Sequence, residues 1–355
     1  MKKAFTSDKI FIVICVFIAL FFGIGVYVTQ GEDISEQENR PLADQPVASL
    51  GSFVSGELYE ELSAFYSDRI PLRTQMIRAK TLCELGLGKI ENNGVKFDGD
   101  RLIDRCLYSD LCTLTTNFSR LGYLDAVTVI IPRSTDVYTD SEEAKAVRDA
   151  YCDERLYGML CDTDRAYYKT DHHLDAGGVY AVYRYLMCEL GEIPCEKEQF
   201  QLVDVSNSFL GSVYSRAGLL ASGADTVSVW RYEVDTQLCV ECLDRGCKTS
   251  SLYYEDAIEV KDKYLYFLGG NHGVLKISGQ GEGRKHLYII KDSFANAVIP
   301  LLARHFDLTV YDPRYSPVPP DVPTGARTVI LCGLDTLATT GGFTRPIAYI
   351  NKKDG

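Results

Sequence analysis

Residues Ile10 to Val28 form an unbroken apolar run, IFIVICVFIALFFGIGVYV, and this segment limits the fold more than any other. It carries no charge, and its 19 residues at ~1.5 Å rise nearly match a ~30 Å hydrocarbon core. The run is therefore read as an N-terminal transmembrane helix. Lys2, Lys3 and Lys9 precede it, while Glu32, Asp33 and Glu36 follow. The positive-inside bias then puts the N-terminus in the cytoplasm and everything after Gln30 outside. A cleaved signal peptide is the competing reading. Its apolar region would be unusually long, and Val26–Gln30 lacks a clear small-x-small cleavage site. The Ile-Val-Ile-Cys stretch ending at Cys15 has no small residue before the cysteine, which argues against a lipoprotein signal. A signal anchor on a single-pass cell-membrane protein is the preferred reading.

The 355 residues are enough for one large α/β domain plus a small accessory region. With 46% hydrophobic and 24% charged residues, a packed body is expected. A formal net charge of −12 would repel phosphates, so no nucleic-acid partner is expected. Of the twelve cysteines, Cys15 lies in the membrane run and the other eleven form no regular framework. In an oxidising exterior some could pair. Cys239, Cys242 and Cys247 make a C-x2-C-x4-C cluster, but His172, His173 and His272 are far away in sequence. The expectation is loop thiols, with a disulfide among the options, and neither metal nor cofactor.

From Gly31 to Ser52 the composition is that of a linker, with Pro41 and Pro46 opposing a helix. Val54, Leu58, Leu62 and Phe65 recur at helical spacing, and Asp68-Arg69-Ile70-Pro71 breaks the pattern. A second helix is expected with Leu72, Met76, Ala79 and Cys83 on one face. Beyond Asn93, four β-branched or apolar runs read as buried strands: Val127–Ile131, Leu287–Ile290, Leu308–Tyr311 and Thr328–Leu331. Helices are expected over Asp140–Tyr151, with Asp140 and Glu143 at capping-box spacing, over Val179–Leu190 and over Val298–Phe306. This alternation argues for an α/β fold, a parallel sheet with helices on both faces. Gln199–Gly273 is richer in short strands and turns, and reads as an insertion or antiparallel annex.

Chemistry concentrates at Asp171-His172-His173 and at Lys291-Asp292-Ser293-Phe294. Ser293 follows a buried strand and precedes a helical stretch, the usual place for catalytic groups in an open parallel sheet. Backbone N–H groups at such a turn can stabilise an oxyanion. A serine needs a base, and the base needs an acid to fix its tautomer. Asp171 and His173, two apart on an extended loop, can supply both. The competing readings are plain caps: Ser293 as the N-cap of its helix, and Thr170 or Asp171 as the cap of the helix after the histidines. His172 is open between a supporting, a substrate-facing and an inert role. His305 reads as partly buried on the surface and His286 as solvated. Asn271, in Gly269-Gly270-Asn271-His272-Gly273, is an oxyanion candidate set against a simple Gly-rich turn.

These stretches resemble the bacterial DHHW-motif proteins, membrane-anchored relatives of the SGNH-hydrolase-like alginate O-acetylation proteins. The likeness rests on Asp171-His172-His173, Lys291–Asn296, Glu38–Leu42, the spacing from Phe53 to Arg73, Gly211–Gly218 and Asp312-Pro313-Arg314-Tyr315. It implies an SGNH-like, flavodoxin-like domain over 93–355 with a β-rich insertion around 199–273. Residues 1–30 would be the cytoplasmic start and anchor, and 31–92 a linker with amphipathic helices. It further implies a catalytic triad of Ser293 as nucleophile, His173 as base and Asp171 as orienting acid. Gly211, Asn271 and the Ser293 amide become oxyanion candidates, while His172 stays an open substrate-binding candidate. The implied activity is O-acyl transfer or ester hydrolysis, with a polysaccharide or small acyl ester as substrate. A catalytically inactive polysaccharide-binding or envelope-scaffold protein is the alternative, and an export complex docking on the helices of Glu38–Cys83 is a third. The 23 tyrosines fit a carbohydrate surface only weakly. Two positions depart from the family pattern. Leu174 stands where the motif has Trp, and Lys291 stands two places before the serine, where SGNH proteins usually have Gly.

Overall fold

A computed structural model of the chain describes residues 7–28, 34–35, 40–104, 111–218, 223–232, 237–338 and 342–350. Lys2, Lys3, Gln30, Glu32, Asp33, Glu36 and the Glu38-Asn39 pair lie outside them. Two units are distinguished: residues 1–93 with 215–221, and 94–214 with 222–355.

In the first unit, the apolar run forms helix α1, Ser7–Val28. Among the described residues, Lys9–Val26 is the one stretch long and apolar enough to cross a membrane. The Val54–Phe65 pattern becomes two helices, because Gly56 turns left-handed (φ +84°) between Leu50–Ser55 and α2, Glu57–Asp68. Helix α3, Arg73–Gly86, follows as expected, but its apolar stripe is not its covered face. Leu72 and Met76 are exposed, while Thr81 is fully buried and donates to Ile77 O and Ala217 O. A buried hydroxyl with two acceptors decides which face packs, and hydrophobic periodicity does not register it.

The second unit is built on a seven-stranded sheet. Its strands are β1 Ala126–Ile131, β4 Cys239–Cys242, β5 Cys247–Thr249, β6 Val274–Ser278, β7 Lys285–Lys291, β8 Phe306–Tyr311 and β9 Arg327–Gly333. The spatial order is β5-β4-β6-β8-β7-β9-β1. The four runs read as strands from sequence form its parallel block, β8-β7-β9-β1. Strands β6, β4 and β5 then extend the same sheet antiparallel. The sheet is thus mixed rather than purely parallel. Part of the expected annex is an extension of the main sheet, whereas β2 Gln201–Phe209 and β3 Asp225–Arg231 pair separately as a hairpin. A local pattern specifies a strand but not the neighbour it pairs with, so the mixed order is not legible in the sequence.

Alternation along each central strand feeds two cores. Leu287, Ile289, Val310, Val329 and Leu331 face one, together with Val182 and Leu186 of helix α5, Ala176–Glu189. Tyr288, Ile290, Tyr311, Ile330 and Cys332 face the other, with Leu114, Leu121 and Leu337 from helical segments. A strand period of two with both faces buried produces continuous apolar runs of this kind. Helix α4, Glu142–Tyr151, is capped by Ser141 rather than by Asp140. Helix α7 is shorter than expected, Ile299–Ala303, and places Pro300 in its first turn, where proline is tolerated.

Candidate active site

Strand β7 is central in the parallel block. The chain continues from it to β8 on one side, and β9 pairs on the other. Because the chain moves to one side of β7 for β8 and then returns to its other side for β9, the strand order reverses there, and the crevice at the carboxyl end of such a switch point is the usual place for a ligand. Lys291, Asp292 and Ser293 sit at that end.

Asp292 is fully buried and ties the turn to β9. Its carboxylate accepts from Gly333 N (2.7 Å), Thr336 Oγ1 (2.5 Å) and Phe294 N (2.9 Å). Asp292, not Ser293, therefore caps the short 3-10 turn Ser293–Ala295. This leaves the serine hydroxyl to face His173. On the other flank, buried Lys291 donates to Asn296 Oδ1 (2.7 Å) and pairs with Asp312 Oδ2 (3.3 Å) at the end of β8. Burial lowers the Lys291 pKa, and Asp312 opposes the effect. Asp312 is also bound by both ends of the Arg314 guanidinium, at 2.9 and 2.7 Å. Lys291 thus pins the carboxyl end of β7 to that of its neighbour β8.

The histidine loop is shaped by a residue the sequence reading did not single out. Asp225, at the start of β3 and 1% exposed, accepts from Lys169 N, Thr170 N and Thr170 Oγ1 at 2.9, 2.8 and 2.6 Å. The following helix α5 is capped by Asp175, which accepts from Gly177 N and Gly178 N. Thr170 and Asp171 are thus not its caps, and Asp171 is available to the imidazole.

Asp171 Oδ1 accepts from His173 Nδ1 at 2.6 Å, and His173 Nε2 lies 2.9 Å from Ser293 Oγ. The other carboxylate oxygen, Oδ2, accepts from Ser212 N (2.7 Å) and Ser212 Oγ (2.9 Å), at the start of helix α6, Ser212–Ala217. Burial alone would raise the Asp171 pKa. The charges of His172 and His173 and the hydrogen bonds to His173 and Ser212 override it, and hold the carboxyl well below the usual range. The His173 ring stacks on Tyr264 (3.8 Å between centroids, 10° between planes) and packs against His172 (3.9 Å). Tyr264 OH donates to Ser293 O at 3.1 Å, so one tyrosine both holds the imidazole and braces the serine backbone.

The remaining candidates separate. His172 Nδ1 bonds Ser212 Oγ at 2.8 Å and its ring meets Phe294 edge-on, so it buttresses the acid side of His173. Gly211 does not turn its amide to the serine: it donates to Thr170 Oγ1 at 3.1 Å. Its lack of a side chain serves close packing, because a Cβ there would collide with the Asp171 carboxyl, whose Cγ is 2.7 Å away. Asn271 lies beside the turn, accepting from Asn296 Nδ2 (3.1 Å) and donating to Tyr315 OH (3.3 Å). Leu174 is fully buried in the core. His305 is half-buried and bonds Tyr183 OH, and His286, expected in solvent, is half-buried against Thr309. Of the three clustered cysteines, Cys242 is buried and meets His272, the partner that separation in sequence had discounted (Sγ to Nδ1 3.1 Å). Ser212, Tyr264 and Asp225 were all missed. Ser212 alone had a signal, standing in the Gly211–Gly218 stretch.

Fold and site together define a mixed α/β protein with an Asp–His–Ser relay at the carboxyl end of a central parallel strand. A family model described as DHHW protein matches residues 126–312, more than half of the chain. The chain belongs to the DHHW protein family. Among solved structures, it is similar to a DHHW family protein from Eubacterium siraeum DSM 15702, with a TM-score of 0.57 and 17% identity, over 73% of this chain and 96% of that one. It is also similar to Bacillus cereus PatB1 with a sulfonyl adduct, with a TM-score of 0.55 and 15% identity, over 70% of this chain and 97% of that one. A second PatB1 structure gives a TM-score of 0.55 and 16% identity, over 70% and 98%. At these identities the likeness shows a shared fold. Comparison with curated proteins gave no match.

Proposed function

We propose that this chain is a membrane-anchored, extracytoplasmic SGNH-like O-acyltransferase or esterase that acts on cell-envelope or exported polysaccharide. In this reading residues 1–30 are the cytoplasmic start and anchor, 31–92 a linker with helices, and 93–355 the catalytic domain, related to the alginate O-acetylation proteins. The observation that carries the proposal is the continuous relay from Asp171 through His173 to Ser293, with 2.6 and 2.9 Å contacts. The sulfonyl adduct on the PatB1 structure of the same fold is consistent with it.

In the proposed reaction, Ser293 Oγ attacks an ester carbonyl while His173 Nε2 takes its proton. Asp171, ionised and held by Ser212, keeps the Nδ1 proton in place and stabilises the imidazolium. The Ser293 amide and the Asn271 side chain are the proposed donors for the oxyanion, and Gly211 is set aside because its amide serves Thr170. Collapse passes the proton from His173 to the departing alcohol and leaves acyl-Ser293. A sugar hydroxyl or water then gives its proton to His173 and attacks, releasing the acyl product and free serine. No metal or organic cofactor enters these steps.

Labelling of the full-length protein in detergent with a serine-reactive phosphonate, followed by peptide mapping, tests the reading. The adduct is expected on Ser293 and lost in His173→Ala. An unlabelled Ser293 in folded protein would leave a polysaccharide binder or envelope scaffold as the better description.

A further inference from the structure

We propose that Cys242, Asp244 and His272 form a binding site for a divalent transition-metal ion of the zinc class, separate from the Ser293 relay. Cys242 Sγ lies 3.1 Å from His272 Nδ1 and 3.4 Å from Asp244 Oδ1, and Asp244 Oδ2 lies 3.9 Å from His272 Nδ1. Ligand atoms ~2.0–2.3 Å from a tetrahedral zinc ion stand roughly 3.3–3.6 Å from one another. The Cys242–His272 and Cys242–Asp244 Oδ1 separations lie near that range, and with one atom from each residue the three ligand atoms lie within 4.8 Å of one another, so side-chain adjustment brings them around one ion. One thiolate, one imidazole and one carboxylate are donors that zinc accepts and that magnesium or calcium does not favour.

The imidazole is already in the ligating tautomer. His272 Nε2 bonds the Leu268 carbonyl at 2.7 Å, and a carbonyl only accepts, so the proton sits on Nε2 and Nδ1 offers its lone pair to Cys242. A metal-bound histidine is usually oriented by this kind of backbone contact. The supports are rigid. Cys242 pairs with Leu275 across β4 and β6, and Leu243 N donates to Val274 O. His272 is 2% exposed and closes a loop in which Leu268, Gly269 and Gly270 are all left-handed, at φ 63°, 70° and 98°. Asp244 is partly exposed and gives the ion a way in.

A fourth ligand has to swing in, because Cys247 is not among the three residues whose ligand atoms lie within 4.8 Å of one another. Cys247 stands directly across from Cys242 in the β4–β5 pair, and residues directly opposite share a face. Cys239 is an odd number of residues from Cys242 and points to the other face, so it is excluded from the set. Binding exchanges the Cys242 thiol proton for an S–metal bond and releases the proton to solvent. The ion would staple the 239–249 hairpin to the loop carrying Asn271, which bonds Asn296 and Lys291 beside the serine. The other convergent group, Asp171, His172 and His173, belongs to the relay already described.

The test uses full-length protein in detergent, reduced and freed of metal, titrated with Co2+. We expect a saturable near-ultraviolet thiolate-to-cobalt band with tetrahedral d–d bands, bleached by Zn2+. Cys242→Ser should remove the thiolate band. Asp244→Asn, at a partly exposed position that does not build the core, should keep the melting temperature of the metal-free protein and weaken binding by about tenfold or more. Absence of the band in reduced parent protein would overturn the proposal, as would a band unchanged in both variants. Recovery of a Cys242–Cys247 disulfide from membranes by non-reducing peptide mapping would also overturn it. Phosphonate labelling of Ser293 reports on the relay separately, so failure of one reading leaves the other standing.

Discussion

His173 Nε2 lies 2.9 Å from Ser293 Oγ, although 120 positions separate the two residues. Two independent anchors produce this contact. Asp225 shapes the loop that carries the histidine, and Asp292 caps the turn that carries the serine, so neither residue is spent as a helix cap. Ser293→Ala and His173→Ala should therefore each cut hydrolysis of a chromogenic acetate ester by roughly 10³-fold or more, since members of such a relay act as a unit. Melting temperatures should change little. Turnover equal to that of the parent in either variant would remove that residue from the chemistry.

Ser212 is the firmest support of the acid. Its hydroxyl is one of two Ser212 donors to Asp171 Oδ2, and the backbone amide remains when the hydroxyl is removed. A hydrogen bond to a charged group contributes about 1.5–3 kcal/mol. Ser212→Ala should lower kcat by roughly ten- to a hundredfold with little change in KM. A KM effect alone would assign Ser212 to the substrate instead.

Lys291 and Asp312 are both fully buried, and removing one partner of such a pair costs about 3–5 kcal/mol. Lys291→Met leaves Asp312 still bound by Arg314, so the expected loss is near the lower end. Chemical denaturation should show a lower midpoint. Unchanged stability would mean that the methionine packs as well as the ion pair it replaces.

Burial, aided by Arg304 and Arg284, pushes the His305 pKa down to about 4. The unfolded chain, near the ordinary value of ~6.5, binds more protons between these limits. The stability contributed by neutral His305 is thus full above pH ~6.5 and is lost as pH falls towards the folded value. The parent should melt at progressively lower temperature across this window, and His305→Gln should flatten the dependence. Parallel curves for the two proteins would dismiss His305 as the titrating group.

The exposed apolar side chains of α1, from Ile10 to Ile24, need a cover. Deleting residues 1–30 should release the protein from membranes into the soluble fraction. Continued membrane association would locate an additional anchor elsewhere.

Local pattern alone was enough for the membrane-length helix and the four parallel strands, and it picked out the Asp-x-His and Ser stretches without deciding between helix caps and a site. Each depends on neighbours a few positions apart: residue type, a period of two or 3.6, and the turn that follows. Tertiary structure alone decided the rest. It joined β4–β6 antiparallel to the main sheet, turned α3 so that Thr81 rather than Met76 is buried, and gave the caps to Asp175 and Asp292. It also brought Asp225, Ser212 and Tyr264 to the relay, and His272 to Cys242. Strand pairing and hydrogen bonding between distant segments depend on which buried polar groups find partners when the chain crosses itself. A linear pattern carries the groups but not their meeting.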